Sequence, residues 1–409
     1  MKKVFLFVLV LCPLLASAQG FQVNLHGQKQ IGMGGTGTGL KMDVASVYFN
    51  PGAMSMLEKN GVSAGISPIF LKSTFVENGS NTQYNNLSQV ATPFQGYAVW
   101  GPEGSRFKFG FGAYTPYGGL INWGSNWPGK NALQSLDLKV IYFQPTVSFK
   151  ITDKLGIGAG LVYGTGSVTL KESLPYSDAN GSSDANAQLK GSGHGLGFNA
   201  GVYFQPTEKF SIGITYHSRV NAKVTNGTAT FTAPNSIAAL SKFPSSFSST
   251  IPLASLMSIG FGFHPTDKLT LALDFNYTDW KPYDTLAFIY DKPQGTRVQD
   301  TKAPRKYEAS YNIRVGGQYK ITDAFAARLG ANYGKTPVKD GYVTPDVPDN
   351  DRVGISAGLG YKITDHFNID ASFLFESIFK RKQQNLSSGL YGTYKTNAFI
   401  PGLSVTYNF

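Results

Sequence analysis

Hydrophobic and polar residues alternate with period two over most of the chain. In the stretch 107–115, Phe107, Phe109 and Phe111 share one face, and Lys108, Gly110 and Gly112 share the other. In 269–277 the apolar face is Leu269, Leu271, Leu273, Phe275 and Tyr277, set against Thr270, Ala272, Asp274 and Asn276. In 367–379 it is Phe367, Ile369, Phe373, Phe375 and Phe379. Successive side chains of a strand point to opposite faces, so each stretch predicts a strand with one apolar and one polar face.

A repeated short turn spaces these strands. Thr152-Asp153, Thr207-Glu208, Thr266-Asp267, Thr322-Asp323 and Thr364-Asp365 each lie between two alternating runs, and Gly101-Pro102-Glu103-Gly104-Ser105 is a sixth turn of different wording. Thr and acidic side chains close such turns by bonding nearby backbone. Successive Thr positions are 55, 59, 56 and 42 residues apart, room for a strand up, a longer loop and a strand down. Six short turns between seven such pairs predict fourteen antiparallel strands. Short turns on one side and long loops on the other are the pattern of an outer-membrane barrel. A soluble sandwich would use the same alternation, but an exported, cysteine-free chain of this many strands fits it poorly. Long polar loops are expected at 173–187, with Asn180-Gly181 as a turn, and at 233–251. In the second, Ile237, Leu240, Phe243 and Phe247 fall at helical spacings and suggest a short amphipathic helix.

The first sixty residues break the alternation. Residues 1–18 read as a secretory signal: Lys2 and Lys3, an apolar run from Val4 to Leu15, then Ala16-Ser17-Ala18. The lone Cys12 leaves with it, so no disulfide stabilises the mature chain. Residues 19–60 are rich in Gly and small polar residues and are expected to form a hatch inside the barrel of residues 61–409, held at Asn50, Pro51 and Gly52. Aromatic residues make up 13% and charged residues only 15%, and no later apolar run is long enough for a transmembrane helix. The formal charge is +11, or +9 without Lys2 and Lys3. Its scatter and the export signal argue against nucleic acid and for anionic lipid head groups or acidic ligands.

Candidate chemistry is sparse. Gly32 to Gly37 matches G-x-G-x-x-G, but no strand–helix unit surrounds it, so a tight turn is the better reading. The five histidines are not paired at metal spacing, and no catalytic constellation, cofactor motif or metal site is evident; Asp346, Asp349 and Asp351 read as a solvated loop. By the alternation Arg219, Arg314, Arg328 and Arg352 point inward, either to pair with Glu308, Asp274, Asp370 or Glu376, or to meet a carboxylate through the planar guanidinium fork. The final strand places Leu403, Val405, Tyr407 and Phe409 on one face, with a terminal aromatic of the kind read by the outer-membrane assembly machinery.

Several stretches, in order, carry a resemblance: Gly20 to Asn24; Asp43, Ala45, Ser46 and Asn50-Pro51; Pro116-Tyr117-Gly118 with Asn122-Trp123; Pro145; Asp274 with Asn276 to Trp280; Arg328-Leu329-Gly330; Thr336-Pro337-Val338; and Pro345 to Arg352. The chain resembles the outer-membrane long-chain fatty-acid transporter (FadL/TodX) family. The resemblance implies a fourteen-stranded barrel with an N-terminal hatch in the outer membrane of a Gram-negative bacterium. It implies passive uptake of long-chain fatty acids or similar hydrophobic compounds, not an enzyme. No extension precedes the hatch to couple energy. Ligand would be captured at an apolar groove of Ile237, Leu240, Phe243 and Phe247, touch Phe21, meet Arg314 or Arg328, and leave through a gap at Pro116, Tyr117 and Gly118. Gly52 departs from the family's usual Asn-Pro-Ala. Alternatives are an aromatic-hydrocarbon channel of the same type or a general porin or structural barrel. The expected partners are the ligand, membrane lipid and the assembly machinery, with a monomeric chain.

Overall fold

The structure, a computed structural model, describes residues 20–175, 177–178, 181–182, 185–233, 242–296 and 298–409. The expected signal peptide and the groove residues Ile237 and Leu240 lie outside them. The wall is one antiparallel sheet closed on itself. The first strand is Gly61–Ile66 continued by Ile69–Glu77, and the second is Phe94–Trp100. The third to sixth are Phe107–Asn122, Ser135–Thr152, Leu155–Leu174 and Ala185–Thr207. The seventh is Phe210–His217 with Val220–Thr232, the eighth Ser246–Leu253 with Ser255–Thr266, and the ninth Leu269–Asp279 with Thr285–Tyr290. The tenth is Thr301–Pro304 with Ala309–Lys320; the last four are Phe325–Gly334, Arg352–Lys362, Phe367–Gln384 and Tyr391–Asn408. Gly61 pairs with Asn408 and closes the circle. Closure is what a bilayer demands, since an open edge would leave backbone groups without partners in hydrocarbon.

The fourteen strands and six short turns are those the alternation predicts. Phe107, Phe109, Phe111, Leu271, Leu273, Phe275, Leu403 and Val405 are exposed on the outside, whereas Lys108, Asp274 and Asn276 are buried within. The described ends of two expected loops are wall instead. Ser173 and Leu174 end one strand and Ala185 begins the next, with Ala185 paired to Leu174 and Ala187 to Glu172. The inward positions Leu170, Ala185, Ala187 and Leu189 stay apolar and buried, so the hairpin continues past the membrane. Phe247 lies on strand Ser246–Leu253 and not on a helix, with Gly227 and Thr228 as neighbours in the ladder.

Residues 20–57 pack against the inner face of this wall. Three short helical turns, Gln28–Gly32, Ser46–Phe49 and Pro51–Met54, carry almost wholly buried residues. Contact is backbone to backbone at wall glycines. A Cβ on Gly330 would strike Gly34 and Met33, one on Gly316 would strike Met33, and one on Gly213 would strike Thr38. Gly156 and Gly158 face Gly52 and Pro51 in the same way, while Gly160 faces Thr146 and Asn199 of the wall itself. Gly34 and Gly35 take positive φ, 72° and 85°, so the glycine run is the tight turn that L-residues resist.

Gly330→Ala should therefore lower stability by about 1–3 kcal/mol, the cost of overpacking a rigid contact. Gly317→Ala, whose new methyl would meet the flexible end of the Leu271 side chain and, at ordinary contact distance, the Thr270 carbonyl, should stay within about 0.5 kcal/mol of the parent. Urea unfolding midpoints in lipid vesicles check both; equal shifts would show that the inner contact is not tight.

Candidate functional site

Three groups of inward side chains hold the N-terminal segment. Asn50 accepts from Gly52 N (2.9 Å) through Oδ1, capping the turn at Pro51. Its Nδ2 donates to Thr38 O (2.8 Å) and to Val202 O of the sixth strand (3.0 Å). Asp274, fully buried, accepts from Gly37 N at 2.9 Å and Thr38 N at 3.0 Å. A carboxylate can stay buried when backbone donors converge on it in this way. Third, Gly20 N donates to Asp349 Oδ2 (3.0 Å), whose other oxygen pairs with Arg352 at 3.1 Å.

Asp346 and Asp349 are thus not a solvated loop. Asp346 pairs with the buried Arg305 at 3.1 Å, and Arg305 also donates to Thr344 Oγ1 (2.6 Å). Burial hinders ionisation of the Asp349 carboxyl and moves its pKa up, against the opposing pull of Arg352 and the Gly20 amide. Among the described residues no cluster of His, Cys, Asp and Glu could hold a metal ion.

The inward arginines divide. Arg314 donates through Nε to Asn312 Oδ1 (2.6 Å) and through Nη1 to Gly35 O of the N-terminal segment (2.9 Å). Arg328 forms a buried pair with Asp370 at 2.8 Å and donates to Gln318 Oε1 at 2.7 Å. Arg352 bridges Asp349 and Glu376. Glu308 pairs instead with Lys339, at 2.8 Å. Arg219 is exposed, because the alternation breaks at Ser218-Arg219 between the two halves of the seventh strand.

The third strand contains the wall's most consequential irregularity. Its pairing with the second strand ends at Tyr114 opposite Gln95, and its register against the fourth shifts between Tyr114 and Tyr117. Pro116 sits in that shift and has no N–H to offer the ladder. Beyond it the free edge bonds to the N-terminal segment: Val23 N donates to Pro116 O (2.8 Å), Gly118 N donates to Phe21 O (3.1 Å), and Gln22 bridges Tyr117. Phe21 is buried edge-on to Trp280 (4.7 Å), Tyr283 (5.5 Å) and Tyr117 (6.0 Å). Tyr117 OH donates across the lumen to Ala254 O (2.7 Å).

Phe21 also forms one wall of an apolar pocket at the long-loop end. The rest of the lining comes mainly from Leu136, Leu138, Val168, Leu170, Val224, Ile251, Leu286 and Phe288, with Asp346 as its one ionisable carboxyl. Phe247 adjoins it, edge-on to Phe288 at 5.6 Å, and Phe243 stacks on Phe231 at 5.2 Å. From Phe21 a chain of rings descends through Tyr117, Tyr142, Tyr114 and Tyr48 to His26, each centroid within 6.1 Å of the next. Of the residues expected from sequence, the structure brings Phe21 and Tyr117 together, and Phe247 near them. Arg314 and Arg328 belong to a different place, on strands next to the short turns and against the N-terminal segment. The leucines and valines of the pocket were missed; they alternate like other wall residues, but on the inner face, which was the available signal.

A closed fourteen-stranded barrel with an apolar outer band and a filled lumen defines an outer-membrane protein. The family model for "Outer membrane protein transport protein (OMPP1/FadL/TodX)" matches residues 9–409, and the chain belongs to this family. It is 27% identical to the 47 kDa outer membrane protein of Pasteurella multocida (strain Pm70), over 96% of this chain and 95% of that one. It is 22% identical to the long-chain fatty acid transport protein of Escherichia coli O6:H1, over 96% and 95%. Among solved structures it resembles a Pseudomonas aeruginosa FadL homologue (TM-score 0.82, 22% identity, 96% and 100% covered). It also resembles the P. putida toluene transporter TodX (TM-score 0.74, 15% identity, 94% and 98% covered).

Asn50→Ala removes three hydrogen bonds and should destabilise the N-terminal segment by about 2 kcal/mol. Hydrogen exchange at residues 36–38 and 50–52 should then quicken about tenfold or more, with the wall strands unchanged. Unaltered exchange there would show that Asn50 does not hold the segment.

Proposed function

We propose that this protein is a passive conduit for hydrophobic molecules across the outer membrane. The observation that carries this reading is the apolar pocket closed on one side by Phe21, whose own backbone fills the break beside Pro116. Ligand enters from the long-loop end and rests among Leu136, Leu138, Val168 and Leu170. It leaves sideways past the third strand when residues 21–23 let go of Pro116 and Gly118. Its almost wholly apolar lining suits an acyl chain or a small aromatic molecule. The packed segment beneath it blocks the lumen to water, which disfavours a general porin. The relatives named as fatty-acid and toluene transporters fit both ligand classes.

The pocket's electrostatics favour a neutral ligand. Its lining holds Asp346, already neutralised by Arg305, and offers no free cation among the described residues. Arg314 and Arg328 are committed to Gly35 and Asp370. This reading places the aromatic or esterified molecule ahead of the ionised acid.

Leu170→Trp should fill the pocket and weaken binding of a fluorescent acyl ester at least tenfold with an unchanged unfolding midpoint. Unchanged affinity would move the site elsewhere. Arg314→Ala and Arg328→Ala should change binding of an ionised fatty acid and its methyl ester equally. Asp346→Asn, which frees the Arg305 guanidinium, should shift preference towards the ionised acid; a selective loss of acid binding in the Arg314 or Arg328 variant would restore those residues as head-group contacts.

A further inference from the structure

We propose that the outer wall carries a binding site for a phosphorylated, multiply acylated lipid of the outer leaflet, on the first, thirteenth and fourteenth strands at the long-loop end. Residues that point outwards on these strands are apolar from the short turns upward. On the fourteenth they run from Phe409 through Tyr407, Val405 and Leu403 to Phe399. On the first they include Val62, Ile66 and Phe70, and on the thirteenth Phe367 and Phe373. Phe399 and Phe409 are ten residues apart. At about 3.3 Å per residue and a tilt of about 40°, that spans about 25 Å, the height of the apolar band of such barrels.

Immediately above this band the outward positions become basic. Lys72 follows Phe70, Lys395 precedes Phe399, and Lys380 and Lys382 follow Phe379. The register brings them together. Lys72 is level with Asn397, which is level with Ser377; Lys395 is level with Thr74; and Lys382 is level with Thr393. Neighbouring strands lie about 4.8 Å apart and residues two apart along a strand about 7 Å, so all four amines reach one area. Lys380 and Lys395 lie near enough for their charges to repel each other.

Lys72, Lys380 and Lys382 are exposed, and none of the four takes part in an ion pair among the described residues. Lys395 is oriented by donating to Ser377 Oγ (2.7 Å) and Ile378 O (3.0 Å), and Lys382 lies over the Tyr391 ring. Arg381, between them in sequence, turns inward to Asp340 and to the Val338 carbonyl. Four ammonium groups without an ion pair among the described residues, three of them exposed, stand at head-group height above rings that accept acyl chains and match a lipid with phosphates over several chains. Lysine suits this as a compact charge on a flexible stem, and its neighbour Asn397 adds a polar group that can bond the same head group.

The test uses the full-length protein in detergent and native mass spectrometry with a hexa-acylated, diphosphorylated glucosamine lipid as probe. The parent should retain one copy. The Lys72→Glu, Lys380→Glu, Lys382→Glu triple variant, which spares Lys395 and its structural bonds, should bind at least tenfold more weakly. Lys209→Glu with Lys268→Glu, the same kind of change at the short turns, should bind like the parent. The dephosphorylated lipid should bind the parent as weakly as the full lipid binds the triple variant, and inorganic phosphate should not displace the lipid. Equal binding of the two lipids by the parent overturns the proposal whether or not the variant folds. So does equal binding by parent and triple variant. Displacement by millimolar phosphate would reassign the patch to a free anion.

Discussion

The structure depends on one constraint: no backbone N–H or C=O in the wall may face hydrocarbon without a partner. Closing the first strand on the fourteenth meets it almost everywhere. It is strained at the third strand, where Pro116 interrupts the ladder and the second strand no longer reaches. There the missing partner is supplied from inside, by the backbone of Phe21, Gln22 and Val23. The weakest part of the wall is therefore also the place where the N-terminal segment is woven into it. Parting the wall at this point would cost only the exchange of a few hydrogen bonds, whereas opening any regular pair of strands would cost a whole ladder.

The same segment is held elsewhere by contacts of a different kind. Glycines on many strands let its backbone touch the wall directly, and Asp274 and Asn50 satisfy the amides and carbonyls that such burial would strand. Close-packed interiors resist even a single added methyl group. The lower segment is thus fixed by sterics and the upper end, from Gly20 to Val23, by a handful of bonds to Asp349, Pro116 and Gly118. Movement at the top need not disturb the bottom.

This division explains what could be read from sequence. Period two reports which face a residue takes, and the Thr-acid turns report where the chain reverses; strand number and facing follow from those, and the filled lumen from the Gly-rich stretch that breaks the alternation. Where a strand ends is set by pairing with a neighbour. For that reason the hairpin at Leu174 and Ala185, and the strand around Phe247, read as loops. Arg305 and Asp346 lie 41 residues apart in segments without alternation, and nothing local marks them as partners. Arg314 and Arg328 did stand out, as inward charges, but facing alone cannot tell a residue that meets ligand from one that meets the N-terminal segment.

Buried cations in this barrel are used for structure: Arg328 with Asp370, Arg352 with Asp349 and Glu376, Arg305 with Asp346. Each removes a charge from the path by pairing it, since an unpaired buried ion would cost several kcal/mol. At the long-loop end the inner surface is the apolar wall around Phe21, and the buried Arg314 lower down is held by Asn312 and the Gly35 carbonyl. The inner face thus commits its paired arginines to holding the chain together, while Lys72, Lys380 and Lys382 stand exposed on the outer wall without an ion pair among the described residues.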